Sequence, residues 1–180
     1  MEQKVCNSII SYLSFYLGNE VFAIHVSKVF KILEMIEVTQ IPKAPDYMRG
    51  VINLRGEVLP VIDTRIKFGM SPVEKTKTTC ILVVEVEIEG EEAMVGLLVD
   101  AVQAVLKMEN ENILPPPSMG KKFKSDFIEG MAKKDEKFVM ILNLDTMLTS
   151  DALINLKDIE SMQKQVKLTD DETDETGIEP

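Results

Sequence analysis

The segment Met48-Arg49-Gly50-Val51-Ile52-Asn53-Leu54-Arg55-Gly56-Glu57-Val58-Leu59-Pro60-Val61-Ile62-Asp63-Thr64-Arg65 constrains the fold more than any other part of the chain. Two runs of apolar and β-branched residues flank the short break Asn53-Leu54-Arg55-Gly56. This pattern predicts a β-hairpin whose turn needs a residue at positive φ, assigned to Gly56 because glycine enters that region without a Cβ penalty. Pro60 has no N–H to give to a ladder, so the second strand is expected at a sheet edge or at a bulge. An uncovered edge beside an exposed arginine suits docking of another protein better than catalysis.

Period-two patterning recurs along the chain. Leu13, Phe15 and Leu17 share one face of a strand over 11–17. After a Gly18-Asn19 turn, Phe22, Ile24 and Val26 are expected inward on a second strand. Residues 27–33 are ambiguous, since Val29, Ile32 and Leu33 also fit a helical turn. Pro42 and Pro45 break the chain before the central hairpin, and residues 64–70 suit a brief helix. Strands follow over 79–88 and 93–99, turned by Glu89-Gly90-Glu91-Glu92. Pro115-Pro116-Pro117 anchors a long loop, and Lys133-Lys134-Asp135-Glu136 turns a last hairpin. That hairpin echoes the central one. Each runs from glycine through strand, turn and strand to an acid-threonine pair, Asp63-Thr64 or Asp145-Thr146, placed to cap a short helix. Two similar hairpins arising independently is the alternative.

The 180 residues suffice for one domain, or for two small subdomains sharing a core. Residues 1–10 read as a mobile terminus and 11–150 as the folded unit. Residues 151–167 read as a C-terminal amphipathic helix with Leu156, Ile159, Met162 and Val166 on one face, and 168–180 as a disordered acidic tail. The formal charge is −10. Six acids and no Lys or Arg lie in 168–180, which leaves −4 for the rest. An acidic chain without a basic stripe argues against nucleic-acid binding. No apolar run reaches membrane-spanning length, so membrane insertion is not expected and a cytoplasmic location is. Cys6 and Cys80 have no disulfide or zinc spacing, and Cys80 reads as a small buried hydrophobe.

The residues of catalysis are not assembled in any recognisable pattern. His25 is the only histidine and reads as a surface residue. Asp63, Asp100 and Asp145 each follow a strand. Turns and caps are their expected use, and a carboxylate site is the lesser alternative. No metal or phosphate-loop spacing is present, so no catalytic residue, metal or cofactor is expected. Arg55 is either a solvated turn residue or a donor fork presented to a partner.

Taken together, these motifs resemble the CheW-like domain of bacterial chemotaxis. The likeness is carried by Arg49-Gly50-Val51-Ile52-Asn53-Leu54-Arg55-Gly56, then by Val58-Leu59-Pro60-Val61-Ile62-Asp63 and Arg65. Phe15 to Ile24 matches upstream, and Val95 to Val102, Ile113 to Pro117 and Phe127 to Gly130 match downstream, in order. It covers about Tyr12 to Leu148. The resemblance implies an all-β fold with minor helices, made of two five-stranded β-barrel subdomains on a shared hydrophobic core. It also implies a cytoplasmic adaptor, monomeric when free, that couples the tips of transmembrane chemoreceptors to the regulatory domain of the histidine kinase CheA in membrane-associated arrays. Carried over by motif, the receptor contact would use Val29, Lys31, Arg55, Val102 and Val105. The kinase contact would use Arg49, Gly50 and Val58.

One departure stands out. Family members commonly carry an acid where this chain has Lys31, and Glu34 could fill nearby space only if the segment turned helically. The alternatives are the CheW-like portion of a longer CheV- or CheA-type protein and a small β-barrel enzyme. Met1 and the acidic tail favour a complete chain over a fragment. Because 168–180 lacks the apolar content to pack, ending the chain at Lys167 is expected to change unfolding free energy by no more than about 0.5 kcal/mol in urea titration. A loss of several kcal/mol would show that the tail packs.

Overall fold

The computed structural model describes residues 8–116 and 127–148. The terminus over 1–7, the helix expected at 151–167 and the tail at 168–180 lie outside the described residues. The strands are β1 (Ile9–Leu17), β2 (Glu20–His25), β3 (Val29–Glu34), β4 (Met48–Leu54), β5 (Glu57–Asp63), β6 (Cys80–Ile88), β7 (Glu91–Val99), β8 (Ala101–Glu109), β9 (Ile113–Leu114), β10 (Ile128–Lys134) and β11 (Lys137–Leu142). Two one-turn helices come after hairpins: α1 (Thr64–Lys67) and α2 (Leu144–Met147). The strands form two sheets, in the orders β8-β1-β2-β11-β10-β9 and β3-β6-β7-β5-β4.

Each sheet is built from two antiparallel sets joined by one parallel pair, β2 with β11 and β5 with β7. The halves of the chain are related. Gly130 follows Gly50 by 80 residues and Asn143 follows Asp63 by 80; both glycines end a bulge, and Asp63 and Asn143 each cap a one-turn helix. Earlier in each half the spacing is 73. Ala23 pairs with Ile141 as Gly96 pairs with Val61, and Val29 and Val102 each stand beside a bulge. The echo between the hairpins is therefore a structural repeat. Its cap in the second half is Asn143, which accepts from Thr146 N at 3.1 Å, and not Asp145.

The repeats are interlaced. β3 leaves its own hairpin β1–β2 and pairs with β6, while β8 leaves β6–β7 and pairs with β1. The largest core cluster lies between the sheets and draws on both: Leu13, Phe15, Leu17, Phe22 and Ile24 meet Ile62, Leu82, Val84, Val95 and Leu97. Burial of side chains this size is worth about 1.5–3 kcal/mol each. Each sheet also buries its other face, around Tyr12, Ala23 and Ile141 in one and Ile52, Val61 and Val83 in the other. A sheet that buries both faces in this way curls around its own side chains. Among the described residues no ladder joins β8 to β9 or β3 to β4. The subunits of the fold are thus two curled sheets, and the first has six strands because the short β9 joins it.

Three local expectations are corrected. Pro60 is not on an edge: β5 lies between β4 and β7. The parallel ladder to β7 begins only at Val61, so the missing N–H falls outside it, and the bulge sits across the hairpin at Arg49. Val26 is exposed in a 3-10 turn over Val26–Lys28, whereas Val21 and Ala23 are buried, because the second face of β2 has a core of its own. Residues 29–34 form a strand rather than a helical turn.

Gly96 marks the tightest point of the second sheet. A Cβ there would lie 2.9 Å from Ile81 Cγ2 and 3.3 Å from Val61 Cγ2. Gly96→Ala is predicted to cost about 1–3 kcal/mol through overpacking, read as a lower urea midpoint at unchanged slope. An unaffected midpoint would mean that β5 and β7 separate freely.

Candidate functional site

The β4–β5 hairpin carries Arg49, Gly50, Arg55 and Val58. Leu54 pairs with Glu57, so the turn is the two-residue loop Arg55-Gly56. Both residues are left-handed, at φ 51° and 83°, which gives the primed turn geometry that matches strand twist. The expectation of one positive φ is therefore exceeded, since Arg55 shares it. The side-chain oxygen of Asn53 accepts the Gly56 N–H at 2.9 Å and closes the turn. Arg55 is exposed at the tip, on a backbone that restricts where its guanidinium can reach.

Lower on the hairpin, Arg49 is the bulged residue and lies half-buried with Nε 3.9 Å from Asp63 Oδ2. Asp63 is buried and caps α1 by accepting from Ile66 N at 3.3 Å. Gly50 is buried at φ 142°, and a Cβ would stand 2.0 Å from the Thr39 carbonyl oxygen. The glycine is required there because the 35–47 segment crosses against it, with Thr39 and Val51 exchanging backbone hydrogen bonds of 2.9 Å. Val58 is exposed opposite Asn53.

The other sequence-selected residues lie on two edge strands. Val29 on β3 stands opposite Val84, and Val102 on β8 stands opposite Phe15. Both are half-buried against the core between the sheets, at equivalent positions of the two repeats. Val105 is 56% exposed, and Lys31 is exposed. Lys31 and Glu34 are three apart on a strand, so they point to opposite faces and Glu34 does not fill the place of the missing acid. Arg55, Arg49, Gly50 and Val58 share the hairpin; Val29 and Lys31 share β3; Val102 and Val105 share β8.

Sequence reasoning missed two features. Phe30, 64% exposed, and Ile32, 48% exposed, extend the apolar surface of β3, and Ile32 occupies the same place in its repeat as Val105. Alternation could have revealed Phe30 had the segment been read as a strand. The second is a clamp at Asp100, the single residue between β7 of one sheet and β8 of the other. Arg65 donates through Nε and Nη2 at 2.6–3.0 Å, and Gly18 N donates at 2.7 Å. Burial pushes the Asp100 carboxyl up, but the hydrogen bonds from Arg65 and Gly18 and the Arg65 charge outweigh it and hold it below the usual carboxylate range.

No catalytic constellation forms among the described residues. His25 is exposed and its Nδ1 accepts from Ser27 N at 3.1 Å. The three aspartates are apart and engaged: Asp63 in a cap, Asp100 in the clamp, Asp145 accepting from Glu87 N at 3.0 Å. The described residues contain no group of three His, Cys, Asp or Glu that could hold a metal ion. Burial raises the pKa of the Cys80 thiol, which disfavours the thiolate. No described helix is long and apolar enough to cross a membrane.

Two curled sheets with apolar residues exposed on their edge strands and an arginine-tipped hairpin define an all-β fold without a catalytic constellation among the described residues. Comparison with known proteins agrees. The CheW-like domain family matches residues 11–152. Chemotaxis protein CheW of Klebsiella aerogenes is 32% identical over 79% of this chain and 83% of its own length, and a probable chemotaxis protein CheW of Rhizobium etli is 34% identical over 76% and 86%. The crystal structure of the scaffolding protein TtCheW from Thermoanaerobacter tengcongensis superposes with a TM-score of 0.69 at 33% identity, covering 78% of this chain and 93% of that one. The chain belongs to the CheW-like family, and its role is that of a chemotaxis adaptor.

The clamp generates a pH prediction. A carboxyl whose pKa is lower folded than unfolded adds stability above its unfolded value, near 3.9, and loses it as pH falls through the folded value. Acid unfolding is therefore expected to steepen below about pH 4. Asp100→Asn should lower stability at neutral pH and flatten that acid limb in urea midpoints measured against pH. Parallel profiles for the two proteins would remove Asp100 from the account.

Proposed function

We propose that this adaptor is a non-enzymatic coupler that holds a chemoreceptor tip and the regulatory domain of the kinase CheA on separate surfaces of one rigid body. The observation that carries the reading is the placement of Val29 and Val102. They occupy equivalent positions on two edge strands, each half-sunk against the shared core and each near an outward aliphatic, Ile32 or Val105. Paired apolar edges suit the apolar stripe of a receptor helix. Lys31 and the Arg55 guanidinium add charge for the carboxylates and carbonyls of that partner.

The kinase contact is assigned to the β4–β5 hairpin through Arg49, Gly50 and Val58. Gly50 is buried, so its part is to let Thr39 approach and to set the shape of the hairpin. The kinase's regulatory domain, itself CheW-like, would dock strand end against strand end. Coupling between the sites then needs only that each partner favour one arrangement of the body between them. The protein works in the cytoplasm, monomeric until recruited to receptor arrays, without nucleic acid and without inserting in the membrane.

Isothermal titration with a receptor cytoplasmic fragment and with the CheA regulatory domain tests the two-surface reading. Both should bind together, and competition for one site would sink it. Arg55→Ala should leave the unfolding midpoint unchanged and weaken receptor binding by roughly 2 kcal/mol; unchanged affinity would return Arg55 to a solvated turn. Lys31 predicts a preference for a receptor tip with an acid opposite it. Lys31→Glu should therefore lose affinity for the native receptor and gain it for a receptor served by an acid-bearing adaptor, and equal affinities for both proteins would refute this.

A further inference from the structure

The chain passes between the sheets at two equivalent places, and the two crossings are not held alike. The β7–β8 crossing is Asp100 alone, fixed on every polar group. Its carboxylate binds Arg65 and Gly18 N, its N–H donates to Tyr16 O at 3.1 Å, and its carbonyl accepts from Thr78 Oγ1 at 3.0 Å. The β2–β3 crossing is the 3-10 turn over Val26–Lys28, with no buried residue. Its one ion pair among the described residues, Lys28 to Asp145 at 3.4 Å, has both side chains about two-fifths exposed, at 39% and 40%. Exposed pairs of that kind contribute little.

The strands beyond the two crossings differ in the same sense. β8 pairs with β1 from Ile9 to Tyr16 and sinks Leu106 into the core. From His25 to Tyr47, by contrast, no side chain is fully buried. That stretch is held by the β3 ladder to β6 and by partial packing of Val29 against the core between the sheets and of Leu33, Met35 and Val38 on the outer cluster. The Thr39–Val51 pair forms over Gly50, and beyond it the stretch is anchored at Tyr47, whose ring packs on the core between the sheets and whose carbonyl accepts from Asp63 N at 2.7 Å. Few buried apolar contacts and exposed backbone bonds are the marks of a unit that opens below the global unfolding free energy.

We infer that residues 26–39 form an arm that detaches and reseats as one unit, pivoting at the Val26–Lys28 crossing and clipped to the β4–β5 hairpin where Thr39 meets Gly50 and Val51. β8 stays fixed through Asp100. The grip proposed for a receptor is then half fixed and half adjustable, because Val29 and Lys31 ride on the arm and Val102 and Val105 do not. The clip ties movement of β3 to the hairpin proposed for the kinase. Only this functional meaning rests on the proposed function; the arm itself does not.

Native-state hydrogen exchange of the full chain tests the arm without any partner. Protected β3 amides and Val51 N–H should exchange roughly tenfold or more faster than the β8–β1 ladder and share one denaturant dependence. Thr39→Pro removes the donor to the Val51 carbonyl. It should lower protection of β3 and Val51 together and leave β8–β1 unchanged. Gly50→Ala, which forces the Thr39 carbonyl away, should do the same. Equal protection of β3 and β8 in the unaltered chain would overturn the arm. Loss of protection confined to Val51, or spread evenly over every ladder, would overturn its unity with the clip. If the arm behaves as expected while receptor binding leaves β3 exchange unchanged, the arm stands and its assigned role in the grip fails.

Discussion

Everything else in this fold depends on the exchange of β3 and β8 between the two sheets. Each repeat begins with a hairpin that lies in one sheet and continues with strands that lie in the other. Neither repeat can complete a sheet alone, because the outer partner of β6 comes from the first half and the outer partner of β1 from the second. The exchange brings two apolar faces together around Phe15, Leu82 and Leu97, all fully buried. An interface that belongs to the core cannot be opened without exposing the largest apolar cluster to water. The two curled sheets therefore act as one body.

The same exchange places the edge strands that the proposed function uses. Strands that cross from one sheet to the other end at sheet edges, so β3 and β8 are both outermost. Edges are normally hazards for aggregation. Here each carries a bulge, at Phe30 and at Gln103, that disturbs its regular pairing. Buried Ser14 supports the β8 bulge, accepting from Ala104 N at 3.2 Å with its hydroxyl 3.0 Å from Gln103 Oε1. The repeat also explains Gly50 and Gly130, since each lets a neighbouring segment cross close to its hairpin. Side chains diverged around a shared backbone: Arg49 and Arg55 in the first hairpin stand where Glu129 and Asp135 stand in the second.

Legibility of the sequence followed the range of the interactions. Strand alternation at Leu13, Phe15 and Leu17 and the hairpin turns depend on neighbouring residues, and they were readable. The internal place of Pro60 is not legible, because its missing N–H can be judged only against β7, more than thirty residues later in the chain. The exposure of Val26 is not legible because it depends on where the strand ends: the chain leaves the sheet after His25 in the turn over Val26–Lys28, which local alternation does not mark. Within the candidate site, Arg55 was legible from its turn and the valines only from the family likeness. Phe30 and Ile32 were hidden by the helical ambiguity of their segment.

Local patterning is enough for the all-β class, the principal hairpins, the turn that carries Arg55 and the lack of a recognisable catalytic pattern. These rest on local spacing and on which side chains a turn or strand admits. The internal position of β5, the exchange of strands between the repeats, and the clamp of Asp100 by Arg65 against a counterpart crossing with no buried residue come from long-range packing. Those outcomes depend on contacts between residues far apart in the chain. The chain's own periodicity carries no record of which hairpin will lie beside which.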